Sequence, residues 1–224
     1  KFDGNDWLQE MVILDTLTTN ITDECFGTRM AGYGDYLLIG DPCDNEFAED
    51  AGVVVVYKKE NSEWVKKTEL VPIDVMPEQG CGPVAIYENY AIVGCPRESI
   101  DSEESVGSAY VYKREGEEWI EQAKLLPPDP SFTANFGLRV SIHEDYAFVG
   151  APGSRNLEGD RIGAAYVYKR EGDNWLEQTR LTSSDAMDND GFSRVKGNSD
   201  TLIVGASRAI GANPFYKGAA YIFV

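Results

Sequence analysis

Histidine occurs once in 224 residues, at His143. A single imidazole argues against catalytic schemes that need two. Neither a Gly-x-Ser-x-Gly elbow nor a Cys–His spacing is present. The four cysteines form no Cys-x-x-Cys pair, which argues against zinc. No apolar run approaches the roughly 20 residues that span a bilayer, so membrane insertion is not expected. There is no low-complexity stretch and no linker. Positive charge is scarce: 20 Lys and Arg face 38 Asp and Glu, for a net charge of −18. Nucleic acid and anionic membrane are therefore not expected as partners. The chain opens at Lys1, already inside the pattern described next, and so reads as a processed product without a signal peptide.

What the sequence does have is a repeat. An apolar run ending in glycine occurs four times: YLLIGDP (36–42), YAIVGCP (90–96), YAFVGAP (146–152) and TLIVGAS (201–207). The glycines Gly40, Gly94, Gly150 and Gly205 are 54, 56 and 55 residues apart. Each run is followed by a second one: VVVVYKKE (53–60), SAYVYKRE (108–115), AAYVYKRE (164–171) and AAYIFV (219–224). A third opens at Trp64, Trp119 and Trp175. Runs rich in valine, isoleucine and tyrosine, punctuated by Gly, Asn and Asp, read as strands and turns. A period of this length with several short strands predicts propeller blades.

The fourth tryptophan run, WLQEMVIL (7–14), stands at the opposite end of the chain. If the termini are joined, AYIFV followed by KFDGNDWLQE aligns with AYVYKREGDNWLEQ (165–178). The expectation is an all-β, four-bladed β-propeller. Its blades are four-stranded and antiparallel, and the N-terminal strand completes the last one. The chain forms a single domain, 1–224, with repeats at about 7–60, 64–115, 119–171 and 175–224, and with 1–14 as the closing segment. If the strands of a blade run A to D from the axis outward, strand A begins at Phe26-Gly27, Cys81-Gly82, Phe136-Gly137 and Phe192-Ser193. The short A–B and C–D turns then share one face, and the long B–C and D–A loops share the other. Long variable loops on a rigid scaffold are where binding is expected.

Phe-Gly at the start of strand A and Gly-Ala-Pro at the end of strand B resemble FG-GAP repeats, the units of the integrin alpha-subunit propeller. The match is fullest at Phe136-Gly137 with Gly150-Ala151-Pro152, and the other three copies are variants. The resemblance implies a propeller and an interaction role. Relatives of the integrin type have seven blades, so four form either a compact ring or part of a larger one. Their calcium loop, of the form D-x-[DN]-x-D-G between strands A and B, has no counterpart, because these turns are too short to wrap the ion. The nearest acidic cluster, Asp185, Asp188, Asn189 and Asp190, precedes a strand A. It is the one candidate for calcium, set against carboxylates that simply cap backbone amides. No cofactor is otherwise expected.

Other candidates follow from the blade frame. Arg29, Arg139 and Arg194 recur at the start of strand A, where Pro83-Val84 stands in the second blade. Three converging guanidiniums could bind a carboxylate, sulfate or phosphate, unless acids such as Asp23, Glu24 or Asp190 pair with them. The B–C loops differ between blades. Phe47, Ile100, Arg155 and Phe215 are the contact candidates, while Phe47, Ile100, Leu157 and Ile210 could instead fold back as loop anchors, the more expected outcome. Cys25–Cys43 and Cys81–Cys95 are the bridges that the blade frame selects, with free thiols as the alternative. Asn20-Ile21-Thr22 is a glycosylation sequon. Together with the bridges it points to a secreted or other oxidising lumenal protein. Residues 1–112 carry −15 of the net charge and 113–224 carry −3, so the acidic half could steer a basic partner. The expectation is a non-enzymatic protein-interaction or adhesion module. A glycan-binding lectin and a structural subunit of a larger assembly are the alternatives.

Overall fold

The computed structural model of the protein describes residues 11–13, 25–208 and 218–224. Their regular structure is entirely β: fifteen strands in four antiparallel sheets, with no helix. Sheet 1 is β1 (Arg29–Tyr33), β2 (Tyr36–Asp41), β3 (Val53–Glu60) and β4 (Glu63–Leu70). Sheet 2 is β5 (Val84–Tyr87), β6 (Tyr90–Cys95), β7 (Ser108–Glu115) and β8 (Glu118–Leu125). Sheet 3 is β9 (Arg139–His143), β10 (Tyr146–Ala151), β11 (Ala164–Glu171) and β12 (Asn174–Leu181). Sheet 4 has three strands, β13 (Phe192–Gly197), β14 (Leu202–Ala206) and β15 (Ala219–Phe223). Within each sheet, chain order is spatial order.

The expected strand boundaries hold closely, with one correction. In the first three sheets strand A starts three residues later than the Phe26, Cys81 and Phe136 positions. Gly27 and Gly137 take φ of +80° and +91°, and Pro83 has no N–H for a ladder. In sheet 4 the strand begins at Phe192. A bulge between Phe192 and Arg194 absorbs the one-residue-shorter spacing and keeps Arg194 opposite Gly205, as Arg29 is opposite Gly40 and Arg139 opposite Gly150. The tight turns are two-residue hairpins, Gly34-Asp35, Glu88-Asn89 and Glu144-Asp145, each with positive φ at its first position.

The first strands of successive sheets pack against one another, β1 on β5, β5 on β9 and β9 on β13, giving a propeller-like array. Three buried apolar clusters hold it together. Leu38, Val54, Tyr110 and Tyr112 join sheets 1 and 2; Ile92, Val111, Phe136 and Tyr166 join sheets 2 and 3; Phe148, Ala165, Phe192 and Val204 join sheets 3 and 4. Trp119 meets Tyr36 edge-on at 6.0 Å and Trp175 meets Tyr90 at 5.9 Å. These tryptophans serve sheet-to-sheet packing, as their repetition predicts.

The motif glycines have a definite cause. A Cβ on Gly40, Gly94 or Gly150 would lie 2.1, 1.9 and 1.9 Å from the carbonyl oxygens of Gly82, Gly137 and Ser193. The glycine that ends strand B thus docks on the backbone that opens the next sheet, too closely for any side chain. Of the expected closing strand, 7–14, only residues 11–13 are described, and these belong to no strand, with Met11 and Val12 exposed. Among the described residues no fourth cluster joins sheet 4 to sheet 1. Ile203 and Ile222 are 45% and 68% exposed there, while their counterparts Ile92 and Val111 are fully buried.

Candidate functional site

The long connections gather on one face, and its centre is lined by arginine. The motif prolines and the starts of strands A form two adjoining recesses that share Leu138. One, of about 270 Å³, is lined by Arg139, Arg161, Arg194 and Arg208, with Asn189, Ser193 and Ser207. The other, of about 280 Å³, is lined by Arg29 and Arg97 with Pro42, Pro83 and Pro96. Six of the ten arginines in the sequence therefore surround one mouth, and no lysine lines it.

The predicted trio does converge. The Arg139 guanidinium loses its proton more readily than usual, first because it is partly buried and then because Arg29 and Arg194 are close enough to repel it. Of the acids named as internal partners, Asp23 and Glu24 lie outside the described residues and Asp190 pairs with none of the arginines; among the described residues, no ion pair involves Arg29, Arg139, Arg161, Arg194 or Arg208. Arg29 and Arg139 each donate only to the preceding carbonyl, of Thr28 and Leu138. Arg97 is held by the Pro42 and Asp50 carbonyls. The Arg161 Nε is buried without a partner.

The B–C loop candidates divide. Phe47 is 45% exposed and Leu157 fully so, which corrects the expectation that both fold back as anchors. Ile100 is half-buried and bridges to Glu103 within its own loop. Arg155 donates to the Gly159 carbonyl at 2.6 Å, bracing its loop. Phe215, Ile210 and Asn20 lie outside the described residues.

The acidic cluster does not converge on a point. Asp185 accepts from the Tyr221 hydroxyl at 2.6 Å, Asp188 from the Arg161 amide at 2.8 Å, and Asp190 from the Met187 amide at 2.8 Å. No cluster of cation-holding carboxylates occurs among the described residues. Asp185 belongs instead to a repeated latch that sequence reasoning missed. Asp74 accepts from Tyr110 and Asp129 from Tyr166, both at 2.8 Å, tying each D–A loop to a strand C. In sheet 2 the latch is extended by Lys124, which reaches Asp74 at 2.6 Å and the buried Glu98 at 2.5 Å. In sheet 3, Arg180 reaches Asp129 at 3.0 Å. The available signal was spacing: the aspartates are 55 and 56 residues apart, and the tyrosines 56 and 55.

The bridges Cys25–Cys43 and Cys81–Cys95 are both present, and no described cysteine is free. They do not occupy equivalent places in their blades. Cys81 stands where Phe136 and Phe192 stand in the following sheets, so its bridge occupies a core position, whereas Cys25–Cys43 ties together two loops at the mouth. Two disulfides point to an oxidising compartment. On the opposite face His143 packs on Tyr87 at 4.2 Å, and Tyr87 on Tyr33 at 5.1 Å. No helix is long and apolar enough to cross a membrane.

Comparison with known proteins agrees with this architecture. The crystal structure of the computationally designed Ika4 protein superposes with a TM-score of 0.52 at 9% identity, over 88% of this chain and 89% of that one. This is a likeness of fold alone. No curated protein sequence matches. The family model of the FG-GAP repeat matches residues 119–168 and 175–223. Those spans open at Trp119 and Trp175, and the first of them contains the fullest copy of the motif, Phe136-Gly137 with Gly150-Ala151-Pro152. The two earlier repeats keep the docking glycines but replace Phe by Cys81, and Ala by Asp41 and Cys95. Two of the four repeats of this chain are thus similar to the FG-GAP repeat, within a propeller-like all-β fold.

Proposed function

We propose that this protein is a non-enzymatic interaction module of an extracellular or other oxidising compartment, and that it docks a protein partner on its loop face. The observation that carries this reading is the contrast between the loops and the scaffold beneath them. Phe47 and Leu157 hold apolar surface in solvent on loops that depart from the repeat, while the strands below are buried and latched. Exposed apolar side chains beside a polar rim suit a protein interface. FG-GAP repeats form interaction modules of this kind, and the compartment implied by the bridges suits adhesion. The lectin alternative is less favoured, because Trp119 and Trp175 are consumed in packing.

The same reading completes the fold. Residues 7–14 form the outer strand of sheet 4 and cover Ile203 and Ile222, closing a four-bladed ring. The acidic surface of residues 1–112 speeds the approach of a basic partner, so association slows as salt rises. The test is capture of a partner from the native source by the whole protein, followed by affinity measurements with variants. Phe47→Ala and Leu157→Ala are expected to weaken binding about tenfold or more when they sit at the centre of the contact. Glu144→Ala, on the short-turn face, is expected to leave it unchanged. Loss of binding with Glu144→Ala alone overturns the assignment.

A further inference from the structure

We propose that the arginine-lined mouth is a carboxylate-binding site, which receives one Asp or Glu side chain from an otherwise neutral or basic segment of the docked partner. The nature of that carrier rests on the loop-face reading given under Proposed function. The site itself rests on geometry.

Four guanidiniums line one recess of about 270 Å³, and two more line its neighbour. In a chain of net charge −18, chance placement would leave most arginines beside an acid. Of the four arginines elsewhere, two are: Arg170 pairs with Asp145, and Arg180 with Asp129. Among the described residues, no ion pair involves an arginine of the mouth. Like charges held together without a counter-ion raise the energy of the empty site, and a bound anion relieves that repulsion.

The side-chain type agrees. Guanidinium presents a planar fork that matches the two oxygens of a carboxylate, a match that an ammonium group cannot make. The Ser207 hydroxyl adds a neutral donor at the same recess, while the Ser193 hydroxyl already donates to the Gly191 carbonyl and the Asn189 amide to Asp188. The buried, unpartnered Arg161 Nε is one more donor without an acceptor.

The choice of a single carboxylate over a polyanion follows from range. Beyond about 8 Å, the screening length at physiological salt, an approaching chain feels the acidic surface of the whole protein. A sulfated glycan or a polyphosphate is repelled there along most of its length. One carboxylate carried by a neutral or basic segment is not, and at the recess it meets four guanidiniums against two flanking carboxylates. Those two, Asp188 and Asp190, keep their charge while accepting from the Arg161 and Met187 amides, and Asp190 Oδ1 is buried without a partner.

The experiment is a titration of the whole, isotopically labelled protein, followed through its arginine Nε–H resonances at constant ionic strength. The probes are the capped peptide acetyl-Gly-Glu-Gly-amide, its Gln counterpart as neutral control, and inorganic sulfate. Saturable shifts of Arg139 and Arg194 with the Glu peptide, absent with the Gln peptide, are the expected result. Arg139→Gln and Arg194→Gln are expected to weaken binding by about tenfold each, with Lys at either position recovering only part of it. Arg114→Gln, beside the short turn at Asn89 and outside both recesses, leaves it intact. Both Gln variants are expected to melt no lower than the parent, since each removes a like charge from a repulsive cluster. No saturable shift, equal shifts with the Gln peptide, or unchanged affinity in the double Arg139→Gln/Arg194→Gln variant overturns the proposal. Sulfate binding more tightly than the Glu peptide also overturns it, in favour of a sulfated ligand. A partner that docks on the loop face without needing Arg139 and Arg194 removes this proposal and leaves the docking reading standing. Saturation by the Glu peptide with no loop-face partner does the reverse.

Discussion

The contact between sheets 2 and 3 and the outer flank of sheet 4 are built from the same repeat, yet they end differently. In the first, Gly94 lies so close to Gly137 that a methyl group would overlap its carbonyl, and Ile92 and Val111 are sealed beneath Phe136. In the second, the nearest described atoms to a Cβ on Gly205 belong to the Arg194 side chain at 3.3 Å, and Ile203 and Ile222 stand open. The motif is therefore a property of the junction rather than of the single blade. Its glycine has a steric purpose only where a following sheet presses on it, and its Phe only where a preceding sheet offers a core.

The sharpest way to probe that difference is one methyl group at each place. Gly94→Ala forces sheets 2 and 3 apart, and is expected to cost more than about 3 kcal/mol, the upper end of overpacking penalties. Gly205→Ala is expected to cost less than about 1 kcal/mol, because a flexible side chain can yield. Chemical denaturation of both variants measures this. Equal losses would mean that sheet 4 is docked as tightly as the others, and the comparison would fail.

A second approach removes what is proposed to cover the open flank. Deleting residues 1–14 is expected to lower the melting temperature and promote self-association, through the exposed edge of β15 and the apolar pair Ile203 and Ile222. Within that segment, Trp7 aligns with Trp175, which packs on Tyr90 of the preceding sheet, so Trp7 is expected to pack on Tyr146. Trp7→Ala should then reproduce most of the deletion. A truncated protein as stable and monomeric as the full chain would show that the flank needs no such strand.

Much of this was readable in advance for a simple reason: the information was periodic. Fifteen strands and their turns follow from residues that recur at fixed steps, and recurrence averages out the ambiguity of any one apolar run. What was not readable lay in side chains that choose among several neighbours. Arg29, Arg139 and Arg194 could be placed near one another, but their lack of acidic partners depends on where Asp188 and Asp190 turn, and those turn to backbone amides. Asp185 looked like part of a cation loop because it lies three residues from Asp188. Its real counterparts, Asp74 and Asp129, lie a whole repeat away. Phe47 and Leu157 were expected to fold back, but both stand exposed on loops that depart from the repeat, where periodicity carries no information.

The finest test of the two regions uses the latch tyrosines. Tyr166, in the closed interior, and Tyr221, on the open sheet, are both pushed up to about 12, in each case first by burial and then by the aspartate that accepts from the hydroxyl. The sign follows from which state holds the proton. Between about pH 10 and 12 the unfolded chain has lost the phenolic proton and the folded chain has kept it, so stability is complete below pH 10 and falls as pH rises through that window. For the fully buried Tyr166 this amounts to at most about 3 kcal/mol. Tyr166→Phe is expected to flatten the alkaline fall in stability while costing about 1 kcal/mol at neutral pH through the lost bond to Asp129. Tyr221 is only half-buried, and its environment depends on whether the outer strand is in place. In the full-length protein Tyr221→Phe should flatten the alkaline limb less than Tyr166→Phe does, and in the protein lacking residues 1–14 its effect should shrink to what the Asp185 bond alone supplies. Urea denaturation across pH 9 to 12 distinguishes these outcomes. A Tyr221 effect as large as that of Tyr166, surviving the truncation, would mean that the burial of this tyrosine comes from sheet 4 alone and owes nothing to closure.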